Sequence, residues 1–218
     1  MEKFEFENAK IYVFQFGKLE TNCYILESGG EVGVIDPSAT TLHEKETLFL
    51  FIRSLNKKLK YIINTHGHFD HIAANGFLKN NFPLSKLAIH KEDAEMLRFP
   101  ELNGSKNFGI TVISPDANIF IDEGEILKIG NISLKVLHIP GHTSGSIALY
   151  GNGFVFTGDT LFSGTVGIAK NFKNAFKKMI EGIKKKLLVL PDETVIFPGH
   201  NEESTIGEEK RFNPFLQD

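Results

Sequence analysis

Four times along this chain an apolar, strand-like run stops at a residue able to bind a metal ion. Tyr61-Ile62-Ile63 leads into His66, Ile139 into His142, Phe154-Val155-Phe156 into Asp159, and Phe197 into His200. A buried carboxylate or imidazole beside a strand is costly unless it is paired or coordinated. The repeat therefore demands a fold whose strands end together, so that loops on a rigid scaffold build one site. The densest stretch is Thr65-His66-Gly67-His68-Phe69-Asp70-His71, which carries three of the chain's eight His and one Asp within six positions. In an extended segment, residues two apart point the same way, so His66 and His68 can meet one ion together. Asp70 and His71 fall where the chain turns toward a helix and face a second point nearby. A lone loop His is an ordinary surface residue, and Asp70 alone could cap a helix. Four donors at this density are not explained in that way. Imidazole with carboxylate is a ligand set for zinc, iron or manganese-type ions. His43 in a helical stretch, His90 at a helix start and His138 on a strand out of phase with the next turn are left outside the set.

Strand signals recur throughout. Residues 11–16, 23–26 and 32–35 open the chain, with Ser28-Gly29-Gly30 as a turn. Asp36-Pro37 ends the third strand, because the residue before proline is driven from the helical region. Apolar spacing predicts helices over 42–56, 71–79, 92–99 and 172–188, the last with Phe172, Phe176, Met179, Ile180 and Ile183 on one face. Further strands are expected at 61–63, 87–89, 126–129, 132–139, 147–150, 154–157 and 194–197. Residues 100–119 read as a loop excursion. Residues 205–212 read as a short helix, with Thr205 and Glu208 as a capping box. Two strand-rich halves with interspersed helices and no linker predict an α+β chain: two packed sheets, helices outside, one domain over residues 1–218.

Composition removes several function classes. The chain is 41% hydrophobic and 23% charged, enough for a real core. Its formal net charge is −3, and only three of its 24 Lys and Arg residues are Arg, namely Arg53, Arg98 and Arg211. That is not the footprint of a nucleic-acid binder. The runs Lys57-Lys58 and Lys184-Lys185-Lys186 read as solvated helix ends. Cys23 is the single cysteine, so neither an internal disulfide nor a Cys-based zinc site is available. Its apolar surroundings predict a buried, inert thiol. Met1-Glu2-Lys3-Phe4-Glu5 does not resemble a signal segment, and no apolar run is long enough for a membrane. The expectation is a cytoplasmic protein acting on a small molecule, with neither nucleic acid nor membrane as partner. Oligomeric state is not legible.

His66-x-His68-x-Asp70-His71, then Gly141-His142, Gly158-Asp159-Thr160 and Pro198-Gly199-His200, in that order, resemble the motifs of the metallo-β-lactamase superfamily. Asn22-Cys23-Tyr24, Asp36-Pro37, Gly158-Asp159-Thr160-Leu161-Phe162 and the tail over 205–215 make the chain similar to the glyoxalase II-like (hydroxyacylglutathione hydrolase-like) branch. The resemblance runs over residues 17–216. It implies an αββα sandwich of two mixed sheets with helices on the outer faces and metals at one edge. It implies a first ion on His66, His68 and His142, a second on Asp70, His71 and His200, and Asp159 bridging them. Two divalent ions are implied, zinc first, with iron and manganese as alternatives. The implied reaction is attack on a thioester by a hydroxide that the two ions share, oriented by Asp70, with thiolate leaving. The stretch Leu161 to Lys170 carries neither the glutathione-binding pattern of glyoxalase II enzymes nor the Gly-Arg-Thr-Asp of related hydrolases and persulfide dioxygenases. Lys170 is its one cation. A small thioester is thus expected, with its thiol left open. A mononuclear iron oxidoreductase of the persulfide dioxygenase type and a lactonase are the alternatives; the second ligand set disfavours the former.

Overall fold

Apolar residues on successive strands sort the chain into layers. The computed structural model describes residues 1–169 and 174–217. Strands β1 (Glu2–Phe6), β2 (Ala9–Phe16), β3 (Thr21–Ser28) and β4 (Glu31–Ile35) pair antiparallel. Strands β5 (Lys58–Ile63), β6 (Lys86–His90) and β7 (Ile119–Ile121) then join in parallel, giving a seven-stranded sheet in the order β1 to β7. In the second sheet β8 (Ile126–Ile129), β9 (Ile132–His138), β10 (Ile147–Gly151) and β11 (Phe154–Gly158) are antiparallel neighbours. A hairpin of β12 (Leu161–Phe162) and β13 (Thr165–Val166) follows. Strand β14 (Val195–Pro198) lies parallel to β11, and β15 (Ser204–Thr205) closes the edge.

The inner faces of the two sheets meet through Ile11, Tyr24 and Leu26 on one side and Phe154, Phe156 and Phe197 on the other. The Tyr24 and Phe156 ring centroids are 5.1 Å apart. Such buried aromatics supply much of a core's apolar burial. The outer face of the first sheet is covered by α1 (Leu42–Ser54), α2 (Phe69–Ile72), α3 (Asn75–Asn81) and a 3-10 turn over Lys91–Leu97, with Leu48, Ile52 and Leu78 against Ile25 and Ile62. A further helix, α4 (Pro100–Asn103), follows that turn. Helix α5 (Ala175–Gly182), its π-helical continuation Ile183–Leu187, and α6 (Ile206–Phe212) cover the second sheet through Met179, Ile183 and Ile206. The expected αββα sandwich of class α+β is therefore the observed one. Among the described residues no helix is long and apolar enough to cross a membrane. Cys23 is buried, and burial pushes its thiol far above the ordinary range.

Several expected elements change. Strand β1 has no sequence signal, because three of the five residues in Glu2-Lys3-Phe4-Glu5-Phe6 are charged; Phe4 and Phe6 face inward onto Phe197 and Phe154. The helix expected over 71–79 is two. It starts earlier, at Phe69, and breaks at Ala74, which leaves helical angles while its N–H bonds to the Pro37 carbonyl at 2.9 Å. The stretch expected as a helix over 92–99 is the 3-10 turn. The excursion over 100–119 contains α4, a 3-10 turn at Ser105–Phe108, and the first residue of β7. The expected start at Phe172 lies outside the described residues. At α6 only half the capping box forms: Thr205 Oγ1 accepts from the Glu208 N–H at 3.2 Å, but the Glu208 carboxylate accepts from Ser204 Oγ.

Candidate metal centre

Strands β5, β9, β11 and β14 end at one edge of the sandwich, where cross-sheet bonds lock the two sheets together. Asn22 N–H donates to the Gly199 carbonyl at 2.8 Å, Ile147 N–H to the Thr65 carbonyl at 2.9 Å, and Tyr24 Oη–H to the Pro198 carbonyl. The turns after these strands deliver all seven predicted ligands to one place. His66 Nε2 lies 3.0 Å from His68 Nδ1, which lies 2.8 Å from His142 Nε2. Asp159 Oδ2 lies 3.4 Å from His142 Nε2 and 3.9 Å from His66 Nε2. Beside this group, Asp70 Oδ2 lies 3.4 Å from His71 Nε2 and 3.3 Å from His200 Nε2. Asp159 reaches this group as well, with Oδ1 3.3 Å from His71 Nε2 and Oδ2 3.6 Å from His200 Nε2.

These spacings suit divalent ions. Donors at about 2.0–2.1 Å around a tetrahedral ion stand about 3.3 Å from one another. His71 Nε2 and Asp159 Oδ1 are buried without a hydrogen-bond partner, which is the state of donor atoms reserved for a cation. The rings are also set to offer lone pairs inward. His71 Nδ1 donates to Asp36 Oδ2 at 3.0 Å, His142 Nδ1 to the Ile168 carbonyl at 2.9 Å, and His200 Nδ1 to the Leu19 carbonyl at 3.0 Å. His66 Nδ1 donates to Thr65 Oγ1 at 3.1 Å, and Thr65 Oγ1–H in turn donates to Asp36 Oδ2 at 2.6 Å. Each bond fixes a ring and a tautomer, leaving Nε2 unprotonated toward the centre. Gly199 is needed here for space, since a Cβ would run into Asp159 Oδ1 and sit 2.8 Å from His71 Cε1.

Charge is divided sharply. Burial and the neighbouring His71 hold His66 well below the ordinary imidazole range. Burial and then His142 push His68 down to about 4. Burial opposes the charge on His71, yet Asp70, Asp159 and Asp36 around it keep it well above that range. Burial likewise opposes ionisation of Asp70, but His71 and His200 hold its carboxyl at about 2. Asp159 is held well below the carboxylate range by His71, against its own burial. Burial opposes charge on His200 too, yet Asp70 and Asp159 raise it, so the two carboxylates draw positive charge onto the donor group of His71 and His200.

Three residues that support this cluster were missed or undervalued in the sequence. Asp36, read there as a strand stop and a motif, is buried at a φ of +50° and accepts from Thr65 N–H, Thr65 Oγ1–H and His71. Thr21 Oγ1–H donates to Asp70 Oδ2 at 2.9 Å. Asp93 accepts from Gly67 N–H at 2.9 Å, Thr143 Oγ1–H at 2.6 Å and Gly145 N–H at 2.7 Å, tying the His66–His68 turn to the His142 turn. Asp93 sits in the charged run Glu92-Asp93-Ala94-Glu95, which reads as a solvated face and gives no signal of burial. His43 is exposed on α1. His90, Asp122 and His138 form another His/Asp group. There the two rings stack 3.9 Å apart at 18°, so their in-plane lone pairs run side by side and not to one point. His138 Nε2 already donates to the Ser144 carbonyl, and His90 Nδ1 accepts from Glu92 N–H.

Residues 16–200 match the family described as the metallo-beta-lactamase superfamily. A Haemophilus influenzae relative named hydroxyacylglutathione hydrolase GloC is 36% identical over 204 residues, covering 90% of this chain and 93% of its own. Among solved structures, BLEG-1 B3 metallo-beta-lactamase superposes with a TM-score of 0.87 at 29% identity, over 95% of this chain and 100% of that one. TTHA1623 in a di-iron-bound form superposes with a TM-score of 0.80 at 30% identity, over 94% and 100%.

Proposed function

From the premise that the chain belongs to the metallo-beta-lactamase superfamily of metallo-hydrolases, we propose that it hydrolyses a small thioester with two divalent ions. The observation that carries the proposal is the pair of donor groups that share Asp159, one made of His66, His68 and His142, the other of Asp70, His71 and His200. Two ions, zinc in the first instance, would supply Lewis acidity that acidifies a water and polarises a carbonyl. The chain's own part is orientation. Asp70, with Oδ2 fixed by Thr21, is the carboxylate placed to orient the attacking water. Water adds to the acyl carbon, the C–S bond breaks, and carboxylate and thiol are released.

A thioester suits the site because thiolate leaves without being protonated, and the acids nearest the centre, Asp70 and Asp159, are both held ionised. The name of the Haemophilus relative points the same way. Lys170, the cation the sequence offers for a glutathione carboxylate, lies outside the described residues. The buried lone thiol of Cys23 fits the reducing cytoplasm as the place of action.

The test is metal analysis of purified protein beside turnover of a thioester panel, a lactone panel and glutathione persulfide with oxygen monitoring. Two ions per chain and thioester cleavage are expected. In His200→Ala the metal content falls toward one ion per chain and thioester turnover is largely lost. One iron per chain with oxygen uptake would instead establish the mononuclear oxidoreductase, and turnover confined to lactones would establish the lactonase.

A further inference from the structure

A cavity of about 570 Å³ opens directly beside Asp70. Its volume falls within the roughly 300–1,000 Å³ of small-molecule sites. Its apolar walls are Phe16, Leu19, Phe69, Phe108 and Ile110, and its polar end beside the centre is Thr21 with Asp70; Lys18, Thr40, Thr41 and Thr111 also line it, with Lys18, Thr41 and Thr111 exposed to solvent. Phe69 and Phe108 pack with centroids 4.9 Å apart. Leu19, Phe108 and Ile110 remain 39%, 59% and 45% exposed, an apolar surface next to a charged centre. Exposed apolar side chains gathered in a cleft mark a binding surface more often than scattered ones do.

The walls are held in place from behind. On one side, Gly17 N–H donates to Glu44 Oε1 at 2.9 Å, and the Leu19 carbonyl accepts from His200 Nδ1, so the turn that carries Leu19 is fixed at both ends. On the other side, buried Asn103 donates to the Met96 and Val112 carbonyls, and the Ser105 carbonyl accepts from Ile110 N–H at 3.2 Å. Phe108 and Ile110 therefore project from a pinned segment. Pre-set walls lower the ordering cost of binding.

We infer that this cavity receives the acyl group of the substrate, and that the group is apolar: a medium-length alkyl or arylalkyl acyl chain and not a short hydroxyacyl one. The inference rests on the thioester reading above. A planar carbonyl held over the two donor groups sends its acyl and thiol parts along different directions, so one cavity takes only one of them. The common biological carrier thiols are charged and hydrogen-bonding; Lys18, the one cation of the lining, is turned out to solvent, while three phenyl rings, a Leu and an Ile match an alkyl or phenyl acyl chain.

The test is a series of glutathione thioesters that differ only in the acyl group: acetyl, lactoyl, hexanoyl and phenylacetyl. For the metal-loaded protein, kcat/KM for hexanoyl and phenylacetyl should exceed that for acetyl and lactoyl by about tenfold or more, since a few buried methylenes discriminate at that level. Phe108→Ser and Ile110→Ser should bring the hexanoyl-to-acetyl ratio back toward one. Phe120→Ser, an exposed apolar residue on β7, should leave the ratio as it is. Hydrolysis of all four at the same efficiency overturns the pocket and leaves the hydrolase standing. If no thioester is cleaved, the hydrolase reading fails, and calorimetry decides the pocket alone. Tighter binding of hexanoate than of lactate, lost in Ile110→Ser, supports it; equal binding overturns it.

Discussion

Asp93 and Asp36 both support the cluster, each a buried carboxylate that receives three hydrogen bonds from residues of or beside the ligand turns. A bond to a buried charged acceptor is among the stronger ones in a protein. Asp93→Asn keeps the shape, but whichever way the amide turns, its NH2 meets a donor, Gly145 N–H on one side or Gly67 N–H and Thr143 Oγ1–H on the other. One buried donor left unmet costs about 1–3 kcal/mol. Chemical denaturation should show a loss of that size, and competition with a chelator should show metal affinity lower by about 10–100-fold. An unchanged affinity with the same stability loss would reduce Asp93 to a structural role. The contrast with the seven predicted ligands is instructive. His66, His68, Asp70 and His71 are legible because they crowd one short stretch, and His142, Asp159 and His200 because each follows a Gly after an apolar run. Asp93, inside a charged run, and Thr21, beside an ordinary turn, lie far in sequence from the residues they bind; only the packing of the Lys91–Leu97 turn and of β3 against the ligand loops gives them their partners.

Helix α1 shows how an element far from the ligands in sequence sets the shape of the cleft. Its capping box is complete, with Thr41 Oγ1 accepting from Glu44 N–H and the Glu44 carboxylate accepting from Thr41 N–H at 2.8 Å. The same carboxylate also accepts from Gly17 N–H, Thr40 N–H and Thr40 Oγ1–H, so one side chain caps the helix and anchors the β2–β3 turn beside the cavity. Burial opposes its charge, but these bonds bring its carboxyl down to about 2. A carboxyl lowered in the folded state stabilises it above the ordinary range, and that contribution is lost as pH falls toward the folded value. Glu44→Gln should therefore lower the melting temperature of chelator-treated protein by about 2–4 °C at pH 7, the size expected for losing a cap. The gap to wild type should narrow between pH 5 and pH 3; a gap that stays constant would mean the charge is not what holds the turn. At this scale the sequence was readable wherever apolar spacing alone decides the element, as in α1 and the inner strands. It was not readable where hydrogen bonds decide. The break between α2 and α3 depends on the Ala74 N–H finding Pro37, and the tight turn after β6 begins with His90 capping Glu92 N–H. Neither bond has a signature in hydrophobic periodicity.

For the molecule as a whole, the seven predicted ligands divide between the two layers of the sandwich. His66, His68, Asp70 and His71 follow β5 of the first sheet, while His142, Asp159 and His200 follow β9, β11 and β14 of the second. Ions held by both sets would clamp the sheets together at the edge where the cleft opens. Without them the same edge gathers the carboxylates of Asp70 and Asp159, both held well toward the ionised form, around the buried ring of His71. A ligand that binds only the folded state stabilises it by about 4 kcal/mol when present at about a thousand times its dissociation constant. For a chain of this length that corresponds to a rise of about 8–16 °C in melting temperature. Stripping the protein with a chelator at pH 7 should lower the transition by that amount and leave the far-ultraviolet circular dichroism unchanged, because the aromatic layer of Tyr24, Phe154, Phe156 and Phe197 needs no ion to form. Adding back zinc should restore the transition in the wild type and only part of it in His200→Ala, which keeps the donor group of His66, His68 and His142. Equal melting temperatures with and without metal would show that the ions, if bound, do not join the two sheets.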